Sequence, residues 1–141
     1  MTGPLDNTAA DNLERRRVEY ARARSATARR VDAAVLGQDV GLGGFTTVEQ
    51  AKQLAGHLEI PLGARVLELG AGRGWPGSHV AASSGCRLVA TDVPIEALIA
   101  AKAYLEIGSE PGHAQLASAD GTVLPFRSGI FGAVIHADVF C

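Results

Sequence analysis

Cysteine is scarce in this chain of 141 residues. Its two cysteines, Cys86 and Cys141, match neither a metal-ligand spacing nor a disulfide framework, and a reduced, intracellular setting fits them. Charge of one sign is not in excess either: 13 Lys and Arg stand against 15 Asp and Glu, a formal net charge of -2. No global field draws the protein to nucleic acid or to anionic lipid. Long hydrophobic runs are also missing; nowhere do about 18 apolar residues follow one another. The opening Met1-Thr-Gly-Pro-Leu-Asp-Asn7 carries an early acid and lacks the apolar core of a signal peptide. Together these absences predict a soluble, cytoplasmic protein with no nucleic-acid and no membrane partner.

What is present suffices for one compact domain, because 47% of the residues are apolar and no repeat or low-complexity tract interrupts them. Residues 1–10 are polar, contain Gly3 and Pro4, and are expected to form a disordered tail. Residues 11–60 are expected to be helical. Leu13, Tyr20, Ala28, Val31 and Val35 recur at helical spacings, as one long helix or two short ones, and seven arginines between Arg15 and Arg30 mix with acids as on a solvated face. Gly41, Gly43 and Gly44 break that pattern, and Thr46 with Glu49 predicts a capping box opening a helix whose apolar face is Val48, Ala51, Ala55 and Leu58.

From Pro61 the period changes. Arg65-Val-Leu-Glu-Leu69 is a short apolar run ending in glycines, as a buried parallel strand does. Pro76 suits the first position of a helix running to Ser84 and stopped by Gly85. Cys86 to Asp92 reads as a second strand, and Pro94 opens a helix with apolar residues Ile95, Leu98, Ile99 and Leu105 that ends near Gly108. His113–Ala117 and Ile130–His136 read as third and fourth strands. Alternating strands and helices predict an α/β fold, a Rossmann-like doubly wound parallel sheet with an N-terminal helical cap.

The chemistry gathers at the first turn, Glu68-Leu-Gly70-Ala71-Gly72-Arg-Gly74. A strand running through glycines into a helix offers backbone amides and a positive helix end to a ligand. A dinucleotide turn would have its third glycine at position 75, where Trp75 stands; here the spacing is Gly-x-Gly-x-Gly. Trp75 itself is expected to pack its helix on the sheet. Glu68, two residues before the first glycine, suits a cationic ligand better than a pyrophosphate. An oxidoreductase using NAD or NADP stays as an alternative, as does a non-catalytic binding module.

Val66-Leu-Glu-Leu-Gly-Ala-Gly-Arg-Gly74 resembles the first motif of the class I S-adenosylmethionine-dependent methyltransferases. Asp120-Gly-Thr-Val-Leu-Pro-Phe126 resembles the small-molecule group called type 11, although Gly132 stands after Phe131 where that group usually has Asp. The resemblance covers residues 62–140. It implies S-adenosyl-L-methionine as cofactor and a small molecule as methyl acceptor. By resemblance Glu68, Gly70, Ala71, Gly72 and Gly74 hold the methionine end. Asp92, with Val93 beside it, takes the ribose hydroxyls, and Asp120 with Gly121 takes the adenine amino group. Asp92 also fits a helix N-cap, and Asp120-Gly121 a simple turn.

Among the four histidines only His136, ending the fourth strand, falls near the expected site, as a cofactor contact or a proton acceptor. No catalytic residue and no metal site is assigned. The resemblance further implies seven strands, with the third, second, first and fourth side by side in that order. The sequence stops just after the fourth, which predicts either a fragment or an open sheet edge completed by a protein partner or a second copy.

Overall fold

The computed structural model describes residues 8–39, 41, 44–106 and 113–139. Two helices come first. α1 (Ala9–Ala21) starts inside the expected tail because Thr8 and Asp11 cap each other: the Thr8 hydroxyl accepts from the Asp11 amide at 3.2 Å and the Asp11 carboxylate from the Thr8 amide at 3.3 Å. The remainder of that tail, residues 1–7, lies outside the described residues. Ser25 caps the second helix, α2 (Ala26–Leu36), by accepting from the Ala28 amide, and Gly37 ends it in the left-handed conformation at φ 97°. Arg24, just before α2, pairs with Asp32 within it and with Asp39 beyond its end, and so ties the two flanks of the helix together. Val31 and Val35, expected on a packed face, are 54% and 68% exposed; Leu36 is the residue of α2 that is buried.

α3 (Val48–His57) is capped by Thr47 and Gln50, one residue later than expected. The displacement has a cause. Thr46 is engaged elsewhere, its hydroxyl donating to Asp138 and its carbonyl accepting from Trp75. Ala51 of α3 is buried and Ala55 and Leu58 pack against the main core as the spacing predicts, joined by Leu54 where Val48 was expected.

Four parallel strands make the sheet: β1 (Arg65–Leu69), β2 (Arg87–Asp92), β3 (Ala114–Ser118) and β4 (Ala133–His136), in the order β3-β2-β1-β4. Between them lie α4 (Gly77–Ser84) and α5 (Ile95–Glu106). Register places Val66 beside Leu88 and Ala133, and Glu68 beside Ala90 and Ile135. Side chains of this parity face the helices, so Val66, Leu88, Ala90 and Ile135 form one core with Val80 and Ala81 of α4 and Ala101 and Leu105 of α5.

Two expectations fail in detail. α5 buries Ala97, Leu98, Ala101 and Leu105, while Ile95 and Ile99 are 56% and 69% exposed. Leu98 and Leu105 are buried as expected, and the helix lies close to the glycine turn after β1, where a Cβ on Gly74 would come within 3.3 Å of the Ala101 carbonyl and of Leu105. β4 is shorter than its apolar run. Ile130 to Gly132 precede it, with Phe131 edge-on to Phe126 at 5.2 Å and the Gly132 amide bonded to the Arg65 carbonyl. The expected end of α5 near Gly108 falls outside the described residues. Among the described residues no helix is long and apolar enough to cross a membrane.

Candidate functional site

Parallel strands end together, and in open α/β sheets the crevice beyond their carboxyl ends is where ligands bind. Here a cavity of about 500 Å³ occupies that place. One wall is the turn after β1, from Leu69 to Arg73 with Trp75; a second is Asp92 and Val93 at the end of β2 and Ala119 to Thr122 after β3. Ala137, Asp138 and Val139 after β4 and Gly44 close it on the third side. α1 lies over it with Arg15, Arg16, Glu19 and Tyr20.

The turn is built from backbone that only glycine adopts without strain. Gly70, Gly72 and Gly74 have φ of 64°, 53° and 93°. The Ala71 amide donates to the Thr91 carbonyl at 2.9 Å, and the Thr91 hydroxyl to the Glu68 carbonyl at 2.7 Å, so the β1–β2 pairing continues into the turn. A Cβ on Gly70 would collide with Val139, and one on Gly72 would approach the Tyr20 hydroxyl at 3.0 Å. Both glycines line the cavity. Gly74 does not; it serves packing against α5.

Asp92 is the best-determined polar group of the cavity. Only 9% exposed, it accepts from the Gly72 amide through Oδ2 and from the Val93 amide through Oδ1, each at 2.8 Å. Two amides fix the carboxylate plane and leave each oxygen a further lone pair for a ligand hydroxyl. Asp120, at the far end, accepts from the amide and hydroxyl of Thr122 through Oδ1. Those bonds, the hydroxyl's first, hold its carboxyl below the usual range, so it is ionised. Gly121 beside it is exposed and has open space around it.

Glu68 and His136 are placed differently from the sequence expectation. Glu68 is 1% exposed and turned into the helix layer, where Oε1 accepts from the Gly77 amide at the start of α4 at 2.9 Å. It does not line the cavity. Oε2 has no hydrogen-bond partner among the described residues, and Gly77 is there because any Cβ would collide with that carboxyl. Burial pushes the Glu68 carboxyl up to about 8, the Gly77 amide opposing and Asp92 adding to the shift. His136 is exposed at the end of β4; the cavity wall is made by the three residues after it.

Several residues of the site were not legible as such. Arg73, inside the glycine turn, donates to the Glu19 and Arg22 carbonyls at the end of α1 and sits 5.4 Å from the Tyr20 ring centroid. It fastens the turn to the helix above it. Tyr20 is held largely un-ionised, first by burial and then by the Asp92 charge. Asp138, with φ 56°, accepts from the Phe45 amide and the Thr46 hydroxyl, and Trp75 Nε1 donates to the Thr46 carbonyl at 2.8 Å. Trp75 therefore both packs and lines the cavity. Of these, Tyr20 belonged to the expected N-terminal cap and Trp75 followed the glycine turn, while nothing local marked Arg73 or Asp138 for these contacts. Among the described residues no group of three or more His, Cys, Asp and Glu is arranged to hold a metal ion.

No family model and no curated protein matches the sequence. Solved structures do match. Over 89% of this chain and 28% of the other, the fold is similar to phosphoethanolamine N-methyltransferase 2 of Haemonchus contortus in complex with phosphomonomethylethanolamine and S-adenosylhomocysteine, at 19% identity and a TM-score of 0.66. A methyltransferase in complex with the Haloferax volcanii Trm112 activator is similar over 86% of this chain and 46% of its own, at 17% identity and a TM-score of 0.61. A SAM-dependent methyltransferase of Thiobacillus denitrificans in complex with S-adenosyl-L-homocysteine is similar over 70% and 38%, at 22% identity and a TM-score of 0.50. The chain thus has the Rossmann-like fold of class I methyltransferases, with the strand order expected, and spans less than half the length of each of these neighbours.

Proposed function

We propose that this chain binds S-adenosyl-L-methionine in the cavity above β1 and β2 and supplies the donor side of methyl transfer to a small molecule. One observation carries the reading: Asp92 is presented between the Gly72 and Val93 amides with lone pairs to spare, as a ribose diol requires. Fold likeness to structures that hold S-adenosylhomocysteine supports it.

In this reading Asp92 holds the ribose and Asp120, with Gly121, the adenine. Gly70, Ala71 and Gly72 let the methionine end approach the backbone closely. Glu68 and Gly74 act behind that surface, the first by tying the start of α4 to β1 and the second by seating the turn on α5. His136 stands outside the wall and serves only if its neighbours move. α1 to α3 form the cap, with Tyr20 and Arg73 joining it to the turn. When bound, the donor brings an already activated methyl group. The chain's own task is then to orient it, exclude water and admit an acceptor in line. β4 lies at the sheet's edge, where a further strand of this fold or a partner would pair.

Calorimetric titration tests the reading. S-adenosylmethionine and S-adenosylhomocysteine should bind, and NAD and NADP should not. Binding of the nicotinamides alone would overturn it.

A further inference from the structure

Each aspartate of the cavity already accepts from donors of the chain, whereas one of its cations has no partner among the described residues. Asp92 is held by two amides, Asp120 by Thr122, and Asp138 by the Phe45 amide and the Thr46 hydroxyl. Arg73 is spent on the carbonyls of α1, and Arg15 donates to Asn12 at 3.1 Å. Arg16 lines the cavity with no hydrogen bond and no ion pair among the described residues, Glu19 on the same wall included. Its neighbour Arg17 is different, being paired with Glu96 and absent from the wall.

Arg16 lies one helical turn before Tyr20, and residues four apart share a helix face. Tyr20 in turn stands over Gly72 and feels the charges of both Asp92 and Arg16. Arg16 is thus carried on the helix face that covers the glycine turn at Gly72, the stretch of backbone assigned to the methionine end. Arg15 beside it is bound only to a neutral amide, so the pair adds positive charge to that part of the wall. A planar, permanently charged fork facing a concave surface is suited to a carboxylate or a phosphate.

We propose that Arg16 is an anion-recognition residue of this cavity, binding a carboxylate or phosphate group of its small-molecule ligand. This rests on reading the cavity as a donor and acceptor site. Two sources of the anion share that chemistry: the carboxylate of the donor's methionine end, or an acidic group on the acceptor.

Calorimetry on the wild-type chain, Arg16→Gln and Arg16→Lys separates them, with S-adenosylhomocysteine and 5′-methylthioadenosine as probes. The second probe keeps the nucleoside and thioether but lacks the carboxylate. A third arm measures the melting-temperature rise given by inorganic phosphate, with and without saturating S-adenosylhomocysteine. If the donor supplies the anion, Arg16→Gln weakens S-adenosylhomocysteine by about tenfold or more and leaves methylthioadenosine unchanged, with Arg16→Lys in between. If the acceptor supplies it, both nucleosides keep their affinity and Arg16→Gln loses the phosphate-induced rise. Equal weakening of both nucleosides, or no change in any arm, overturns the proposal. If the wild-type chain binds neither nucleoside, the donor reading fails, and the phosphate arm alone still decides Arg16.

Discussion

The ends of β1 and β2 each carry a carboxylate, and the two have opposite fates. Glu68 and Asp92 share the parity that faces the helices, since Glu68 pairs with Ala90 and Asp92 lies two residues further on. Depth separates them. Glu68 stops one residue short of its strand's end, beneath the start of α4, and is sealed there with one oxygen unpartnered. Asp92 is the last residue of its strand and reaches the cavity, where two amides solvate it. A motif therefore names residue types, and the strand's end decides which of them reaches the cavity. Glu68 shapes the turn from behind, and Asp92 faces the cavity in front of it.

The sharpest way to break this comparison is pH. The Glu68 carboxyl, ordinarily near 4.5, stands at about 8 in the folded chain. As pH rises between those values the unfolded chain releases this proton while the folded chain keeps it, so this group makes stability fall across that window and level off above it. Glu68→Gln removes the loss. Its stability relative to the wild type should rise from pH 5 to pH 9 by an amount on the order of several kcal/mol, read by urea denaturation at each pH. Parallel curves would mean that the Glu68 carboxyl ionises freely. The other half of the comparison predicts an effect on binding. Asp92→Ala should weaken S-adenosylhomocysteine by about 1–3 kcal/mol in calorimetry, since charge-assisted bonds to the ribose are lost and the Gly72 amide loses its acceptor. An unchanged affinity would remove Asp92 from the site.

These contrasts also mark how far the sequence can be read. The α/β class and all four strands follow from short apolar runs broken by glycine and proline, a signature clearest in the buried β1 and β2, whereas the order of the sheet follows from the family resemblance. β1 was legible to the residue. Roles that depend on depth were not: period and motif cannot tell that Glu68 lies under α4, or that Gly74 meets Ala101 and Leu105. Contacts between distant segments were illegible for the same reason. Neither Arg73 and α1 nor Asp138 and residues 44–46 share a local pattern, and the cap of α3 moved by one residue when Thr46 was drawn to Trp75 and Asp138.

The smallest effect is expected at that last junction, where the wall of the cavity and the joint between α3 and the sheet are one side chain. Trp75→Phe keeps a ring for packing and removes the donor that reaches the Thr46 carbonyl at 2.8 Å. The bond is partly buried, so its loss should lower stability by about 1 kcal/mol. Since Thr46 is held from its other side by Asp138, the segment should stay in place and S-adenosylhomocysteine affinity should change little. Denaturation and calorimetry on the same variant read the two quantities separately. A loss of affinity larger than the loss of stability would make the Trp75 indole a ligand contact in its own right, and would extend the ligand-facing surface from Asp92 across the glycine turn to the α3 side of the cavity.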